Sequence, residues 1–211
     1  GRTVGFTTTD GTYIGNQQIT AGDNTGPVSA QLVLKDPTVD VAVLETARGG
    51  IIRSGLGFDH CDIGVVLNIA ADHLGLKDVN TLEDLARVKS VVPRAVTSKG
   101  FTVLNAEDPL VYAMKELSDG TVVCFSMDEN NINIRKRAER GRVSCVYENG
   151  YVTILKGKWK VRIEKVTNIP ITYGGRAEFM IQNVLAATLA CFVHGVSIED
   201  MRVGLTTFNA G

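Results

Sequence analysis

Two apolar runs, residues 39–44 and 64–67, each stop at residues able to hold a metal: Glu45 after the first, and Asn68 with Asp72 and His73 after the second. Both runs read as buried strands. In an open parallel sheet, ligands collect at the carboxyl ends of the strands, so Glu45 and His73, distant in sequence, can face one crevice. A carboxylate and an imidazole there suit a magnesium-dependent phosphate site.

Each candidate has a bland reading beside the chemical one. Glu45, in LETARGGI, is a metal-binding carboxylate followed by Arg48 and the flexible pair Gly49-Gly50, or an exposed acid before a loop. His73, in NIAADHL, is a ligand oriented by its neighbour Asp72, or a structural histidine. Lys89 sits on a mostly apolar stretch, where its amine either snorkels to solvent or is drawn to metal-bound phosphate. Asn105 and Asp108, in NAEDP, make a turn and cap the following helix, or touch a nucleotide at the sheet edge. Asn183 stands among Val184, Leu185 and Ala186, where a buried amide needs a partner such as adenine.

The chain contains no GxxxxGK[ST], so these residues lack the usual phosphate cradle; GxSxG, HExxH and GxGxxG are also absent. Lys plus Arg (22) nearly balances Asp plus Glu (23), which argues against nucleic acid or a membrane surface as the main partner. Cys61, Cys124, Cys145 and Cys191 are widely spaced and form no CxxC, which fits reduced thiols in a cytoplasm. No apolar stretch is long enough to span a bilayer, and the start GRTVGFTTTDG is unlike a signal peptide. The abrupt ends, a strand at once and FNAG directly after a helical pattern, suggest a piece cut from a longer chain.

The elements that must position these residues alternate up to about residue 125. Strands are expected at 4–8, 39–44, 64–67, 101–104 and 121–125. Helices are expected at 26–35 (opened by Thr25 with Pro27 in the first turn), 82–98 and 109–117. Thr81 and Asp84 form a capping box for the second, and Pro93 predicts a break near Val92. This alternation implies right-handed crossovers and a three-layer α/β fold, a mainly parallel sheet with helices on both faces. Over 132–172 the pattern becomes alternating, with Asn149-Gly150 joining strands 143–147 and 151–155 and Lys156-Gly157-Lys158 leading into 159–163. That stretch reads as a small antiparallel flap (126–172) on a core of 1–125 and 173–211, and its strands could support a homo-oligomer. Helices return at 177–193 and from Ser197, boxed by Asp200, to about 206.

In order along the chain, TTTDGTYI, GDNTGP, LETARGGI, NIAADHLG, LNAEDP and GRAEFMIQNVLAA resemble the central domain of the Mur ligase and folylpolyglutamate synthase superfamily, across essentially all 211 residues. TTTDGTYI and LETARGGI point to its cyanophycin branch. The resemblance implies an ATP-dependent amide ligase in which a carboxylate is activated as an acyl phosphate and attacked by an amine. In that branch arginine is joined to aspartate side chains of a growing polymer, so the implied partners are ATP, magnesium, arginine and a poly-aspartate acceptor. By the same resemblance, Glu45 and His73 bind magnesium, Lys89 approaches metal and phosphate, Asn183 holds adenine, and Asn105 and Asp108 lie near the nucleotide. Thr8, Thr9, Asp10 and Arg48 are candidates for the acceptor carboxylate or its phosphate. In the family a phosphate loop precedes these motifs and a further domain follows, so the chain alone is expected to be inert. A sister ligase of cell-wall or folate chemistry, and a non-catalytic scaffold, are the competing readings.

Overall fold

A computed structural model describes residues 1–71, 75 and 79–209, which divide into two compact units. The first unit, residues 1–61 with 75–91, is built on a four-stranded sheet. Its strands are β1 (Val4–Thr7), β2 (Gly11–Ile14), β3 (Gln17–Ala21) and β4 (Val41–Leu44), in the order β3-β2-β1-β4. The β1–β2–β3 meander is antiparallel, whereas β4 lies parallel to β1. Helix α1 (Pro27–Lys35) returns the chain between them, with Pro27 in its first turn and Gly26, not Thr25, at the cap. A Cβ on Gly5 would stand 2.6 Å from Val33, so glycine there lets α1 settle on β1 and bury Val33. Phe6 and Tyr13, opposite each other across β1 and β2, stack with centroids 4.7 Å apart.

Two helices complete this unit. Residues expected as a glycine-rich loop after Glu45 form α2 (Arg48–Ser54). Helix α3 (Leu82–Lys89) has the expected capping box, with Thr81 Oγ1 accepting from the Asp84 amide and Asp84 accepting from the Thr81 amide, each at 3.1 Å. The expected long helix over 82–98 stops at Lys89. Its sequel is α4 (Val91–Ala95), which holds Pro93, and a strand begins at Val96.

The second unit, 62–74 with 92–211, carries a six-stranded sheet ordered β10-β9-β8-β7-β6-β5. Its strands are β5 (Cys61–Val66), β6 (Val96–Asn105), β7 (Thr121–Ser126), β8 (Val143–Glu148), β9 (Tyr151–Lys156) and β10 (Trp159–Lys165). β6, β7 and β8 run parallel, and β8–β9–β10 continue as an antiparallel meander on the same sheet. The first hairpin turns at Asn149 and Gly150, both at positive φ, which is the signature of a type I′ turn.

Helices α5 (Pro109–Ala113), α6 (Ile132–Glu139), α7 (Glu178–His194) and α8 (Ile198–Thr207) clothe this sheet. The 17-residue α7 packs over β6, β7 and β8, and its Ile181, Val184, Leu185 and Leu189 meet Val103, Val123, Phe125, Cys145 and Ile154 in the core. The alternate residues of those strands face α5 and α6. Helix α6 was not foreseen, because the Ile-Asn-Ile alternation at 132–134 mimics a strand. Asn131 settles it by accepting from the amides of Asn133 (2.9 Å) and Ile134 (3.4 Å).

Candidate functional site

The parallel pairing of β1 with β4 ends at Thr7 opposite Leu44, so Thr8 and Glu45 leave the sheet side by side at its carboxyl edge. The Glu45 amide donates to the Thr7 carbonyl at 3.3 Å, extending the ladder one step beyond the strands. Thr8, Thr9 and Asp10 form the tight link to β2: the Thr8 amide donates to Gly11 O at 2.8 Å, and Thr8 Oγ1 accepts from the Asp10 amide at 3.1 Å. A third segment, residues 22–25, is tied to the same edge. The Gly22 and Asn24 amides donate to Asp10 O and Thr8 O at 3.0 and 3.1 Å, and the Ala47 amide donates to Thr25 O at 3.2 Å. Gly50 is the residue that lets α2 close onto this platform, since a Cβ there would lie 3.2 Å from Gly26 Cα. Gly50 thus admits protein backbone.

Glu45 is exposed, and its carboxyl pKa is nonetheless raised. Partial desolvation is the main cause, the charges of Asp23 and Asp10 add to it, and a hydrogen bond from the Thr9 amide opposes it. Asp23 is held in the opposite direction, below the usual carboxylate range, by the Thr25 hydroxyl at 2.6 Å and the Thr25 amide at 3.2 Å. Asp23 therefore stays anionic while Glu45 resists its charge. A divalent cation at this edge would relieve that conflict. Among the described residues no three His, Cys, Asp or Glu side chains are disposed to hold a metal together. Asp72 and His73 lie outside the described residues. Arg48 opens α2 and Lys89 closes α3, two helices packed on each other, and both side chains are half-buried.

The nucleotide candidates belong to the second unit. Asn105 ends β6, is 4% exposed, and accepts from the Glu107 amide at 2.9 Å. Asp108 caps α5 through the Leu110 and Val111 amides at 2.9 and 3.1 Å, and its other oxygen accepts from the Ile69 amide at 2.7 Å, tying down the chain after β5. Asn183 is half-buried on α7, its amide 3.9 Å from Met180 Sδ. By strand alternation Asn105 shares the side of Val103, which is the side α7 covers, so both amides belong to one face of the sheet. On the other face a cavity of about 530 Å³ opens beside α5, lined among others by Glu107, Tyr112, Lys115, Asn131 and Asn133. Glu107 was not singled out from the sequence; it accepts from Ser126 Oγ at 2.6 Å and from the Asp128 amide at 3.0 Å, closing the ends of β6 and β7. Only its place in NAEDP hinted at it.

Compared with known families, residues 1–191 match the Mur ligase middle domain. The chain belongs to the Mur ligase middle domain family. Among its relatives, cyanophycin synthetase of Crocosphaera subtropica is 58% identical over 210 residues, 100% of this chain and 24% of that protein. UDP-N-acetylmuramate–L-alanine ligase of Acetivibrio thermocellus is 32% identical over 192 residues, covering 82% of this chain and 38% of that protein. Among solved structures, MurF from Acinetobacter baumannii aligns with a TM-score of 0.59 at 20% identity, covering 87% of this chain and 38% of that one, which supports the fold. The chain spans about a quarter of the length of the cyanophycin synthetases it matches. In this Mur ligase middle domain, the matched segment holds every candidate residue named above, from Thr8 to Asn183. Among the described residues no helix is long and apolar enough to cross a membrane.

Proposed function

We propose that these residues are the central part of an ATP-dependent amide ligase that joins arginine to the aspartate side chains of a cyanophycin-like polymer. The observation that carries the reading is the meeting of Glu45 with the Thr8–Asp10 turn and the 22–25 loop at the carboxyl edge of paired parallel strands. The branch is favoured by 58% identity to a cyanophycin synthetase against 32% to a cell-wall ligase. Among the described residues Cys61, Cys124, Cys145 and Cys191 form no disulfide, which suits a reducing compartment such as the cytoplasm.

The residues divide the work by position. Glu45 and His73 would hold magnesium, which when bound neutralises charge developing on a transferring phosphoryl group. Thr8, Thr9, Asp10 and Arg48 would orient an acceptor carboxylate and its phosphate, with Lys89 on the neighbouring helix as a further cation. Asn105, Asp108 and Asn183 would flank the nucleotide. The acceptor carboxylate oxygen bonds to the γ-phosphorus of ATP as the bond to the β-γ bridging oxygen breaks, releasing ADP. The α-amino nitrogen of arginine then bonds to the acyl carbon, phosphate departs, and the nitrogen loses a proton. Positioning and charge compensation are what the chain contributes.

The test is phosphate release by the longer ligase that contains these residues, given a β-aspartyl acceptor and a panel of amino acids. Arginine-dependent turnover is expected. Turnover with a different amino acid identifies a sister ligase, and none with any amino acid identifies a scaffold. Glu45→Ala and His73→Ala should each abolish turnover in a protein that keeps its circular dichroism. Wild-type rates in both would end the metal assignment.

A further inference from the structure

The near-neutral charge of the chain conceals a strong segregation. Residues 135–165 carry ten Lys and Arg against three acids, whereas the rest of the chain carries twelve against twenty. Two separate elements bring these cations together. Arg135, Lys136 and Arg140 are exposed on and just beyond α6, whose inward residue is the buried Ile134. The β9–β10 turn sits at the end of that helix, where a Cβ on Gly157 would lie 3.7 Å from Gly141 Cα and 4.0 Å from Ala138 O. Lys156, paired with Val143 in the ladder, therefore emerges beside Arg142, and Lys158 extends the row. Among the described residues no carboxylate lies within 4 Å of Arg135, Lys136, Arg140, Arg142, Lys156 or Lys158. The next two cations, Lys160 and Arg162, are different: both bond to the buried Glu148 and are already compensated.

We infer that this basic strip of α6 and the β9–β10 turn is a docking surface for an acidic polypeptide. Repeated carboxylates along a flexible chain can meet six uncompensated cations spread over a helix and a turn, an arrangement that gives steering and retention without a closed pocket. Single-stranded nucleic acid is the poorer match, because it needs open aromatic faces for base stacking. Beside the strip, Tyr151 lies under Arg162 at 4.8 Å, and Trp159, 47% exposed, tilts against Phe192 at 6.2 Å, which leaves one partly open ring and not a row of stacking faces. The acidic remainder of the chain would also repel a long, rigid polyanion extending past the strip. The poly-aspartate acceptor proposed above is one polymer of this class, but the inference rests on charge placement and needs no ligase chemistry.

The test is anisotropy of labelled poly-L-aspartate titrated with the 211-residue chain in the absence of ATP, so its outcome is separate from that of the turnover assay. Saturable binding that weakens with added salt is expected. The variant Arg135→Glu/Lys136→Glu/Arg140→Glu/Lys158→Glu should bind about tenfold more weakly or worse, four surface contacts being removed. The control Lys35→Glu/Lys99→Glu should bind as wild type. If the reversed variant loses its circular dichroism, the same four positions changed to Gln decide by a clear weakening. No binding of poly-L-aspartate, unchanged binding by the four-site variants, or tighter binding of an oligodeoxythymidine of matching charge would each overturn the docking surface.

Discussion

The amide of Glu45 donates to the carbonyl of Thr7 at 3.3 Å, which ties the acid of one parallel strand to the end of its neighbour. The carboxylate is thus delivered by main-chain pairing and not by a flexible loop. Because burial and the nearby Asp23 and Asp10 raise its pKa, the folded chain binds that proton more readily than the unfolded chain does. Stability from this group therefore falls as pH rises from the ordinary carboxylate range through the raised value. Glu45→Gln should be the more stable form at neutral pH, by on the order of 0.5 kcal/mol or less for an exposed site. Urea midpoints from about pH 3 to about pH 8 should show the gap closing on acidification, and magnesium should narrow it at neutral pH. A gap of the opposite sign would contradict the repulsion.

Glu148 carries the reverse sign. Hydrogen bonding from Lys160 first, and the charges of Lys160 and Arg162 with it, hold its carboxyl below the usual range. The contribution is present above the ordinary carboxylate pKa and is lost as pH falls through the depressed one. Glu148→Gln should cost about 2 kcal/mol at neutral pH, less than a wholly buried pair would, because Lys160 and Arg162 are about half exposed and can turn to water. Urea unfolding of the pair of proteins at neutral and acid pH checks both the size and its decay.

Asp108 joins α5 to the segment after β5 by three amides. Asp108→Ala should destabilise by about 2 kcal/mol, whereas Asp108→Asn, which keeps an accepting oxygen, should cost less than about 1 kcal/mol. If the Asn variant keeps its stability but loses nucleotide affinity in the longer ligase, the residue serves binding as well as architecture.

Gly57 adopts φ +83°, and a Cβ there would stand 2.6 Å from Pro27 O. Gly57→Ala should cost about 3 kcal/mol, combining left-handed backbone strain with a clash against α1. Gly15→Ala, at φ +57° with nothing within 4 Å, should cost only the backbone share of about 1 kcal/mol. Equal losses in thermal unfolding would show that the clash is relieved by movement of α1.

Periodicity and caps made much of the architecture readable in advance: the Thr81–Asp84 box, the Asn149-Gly150 turn and the apolar runs of β5–β7 are each local signals. What escaped were elements defined by contact. α2 carries Gly49 and Gly50 in its first turn, which local propensity disfavours, and Gly50 packs it closely against residues 25 and 26. α6 hid behind alternating isoleucines. For the site, the acid at the end of β4 was legible as a residue type at a strand end. Its partners were not, because Asp10 and Asp23 reach it only through the β1–β2–β3 meander, which no periodic pattern announced. The cap and turn roles of Asp108 and Asn105 were both foreseen as alternatives, and both are seen.

β4 is the outermost strand of its sheet in hydrogen-bonded order, and its four residues, Val-Ala-Val-Leu, include neither a charge nor a proline. Among the described residues, then, one side of its main chain is left as a bare template, with Val43 57% exposed beside it. Edges of this composition adhere to their own kind as concentration rises. Concentration-dependent self-association is therefore the behaviour to expect of the polypeptide in isolation, and a charged residue introduced on that outer strand is the direct remedy.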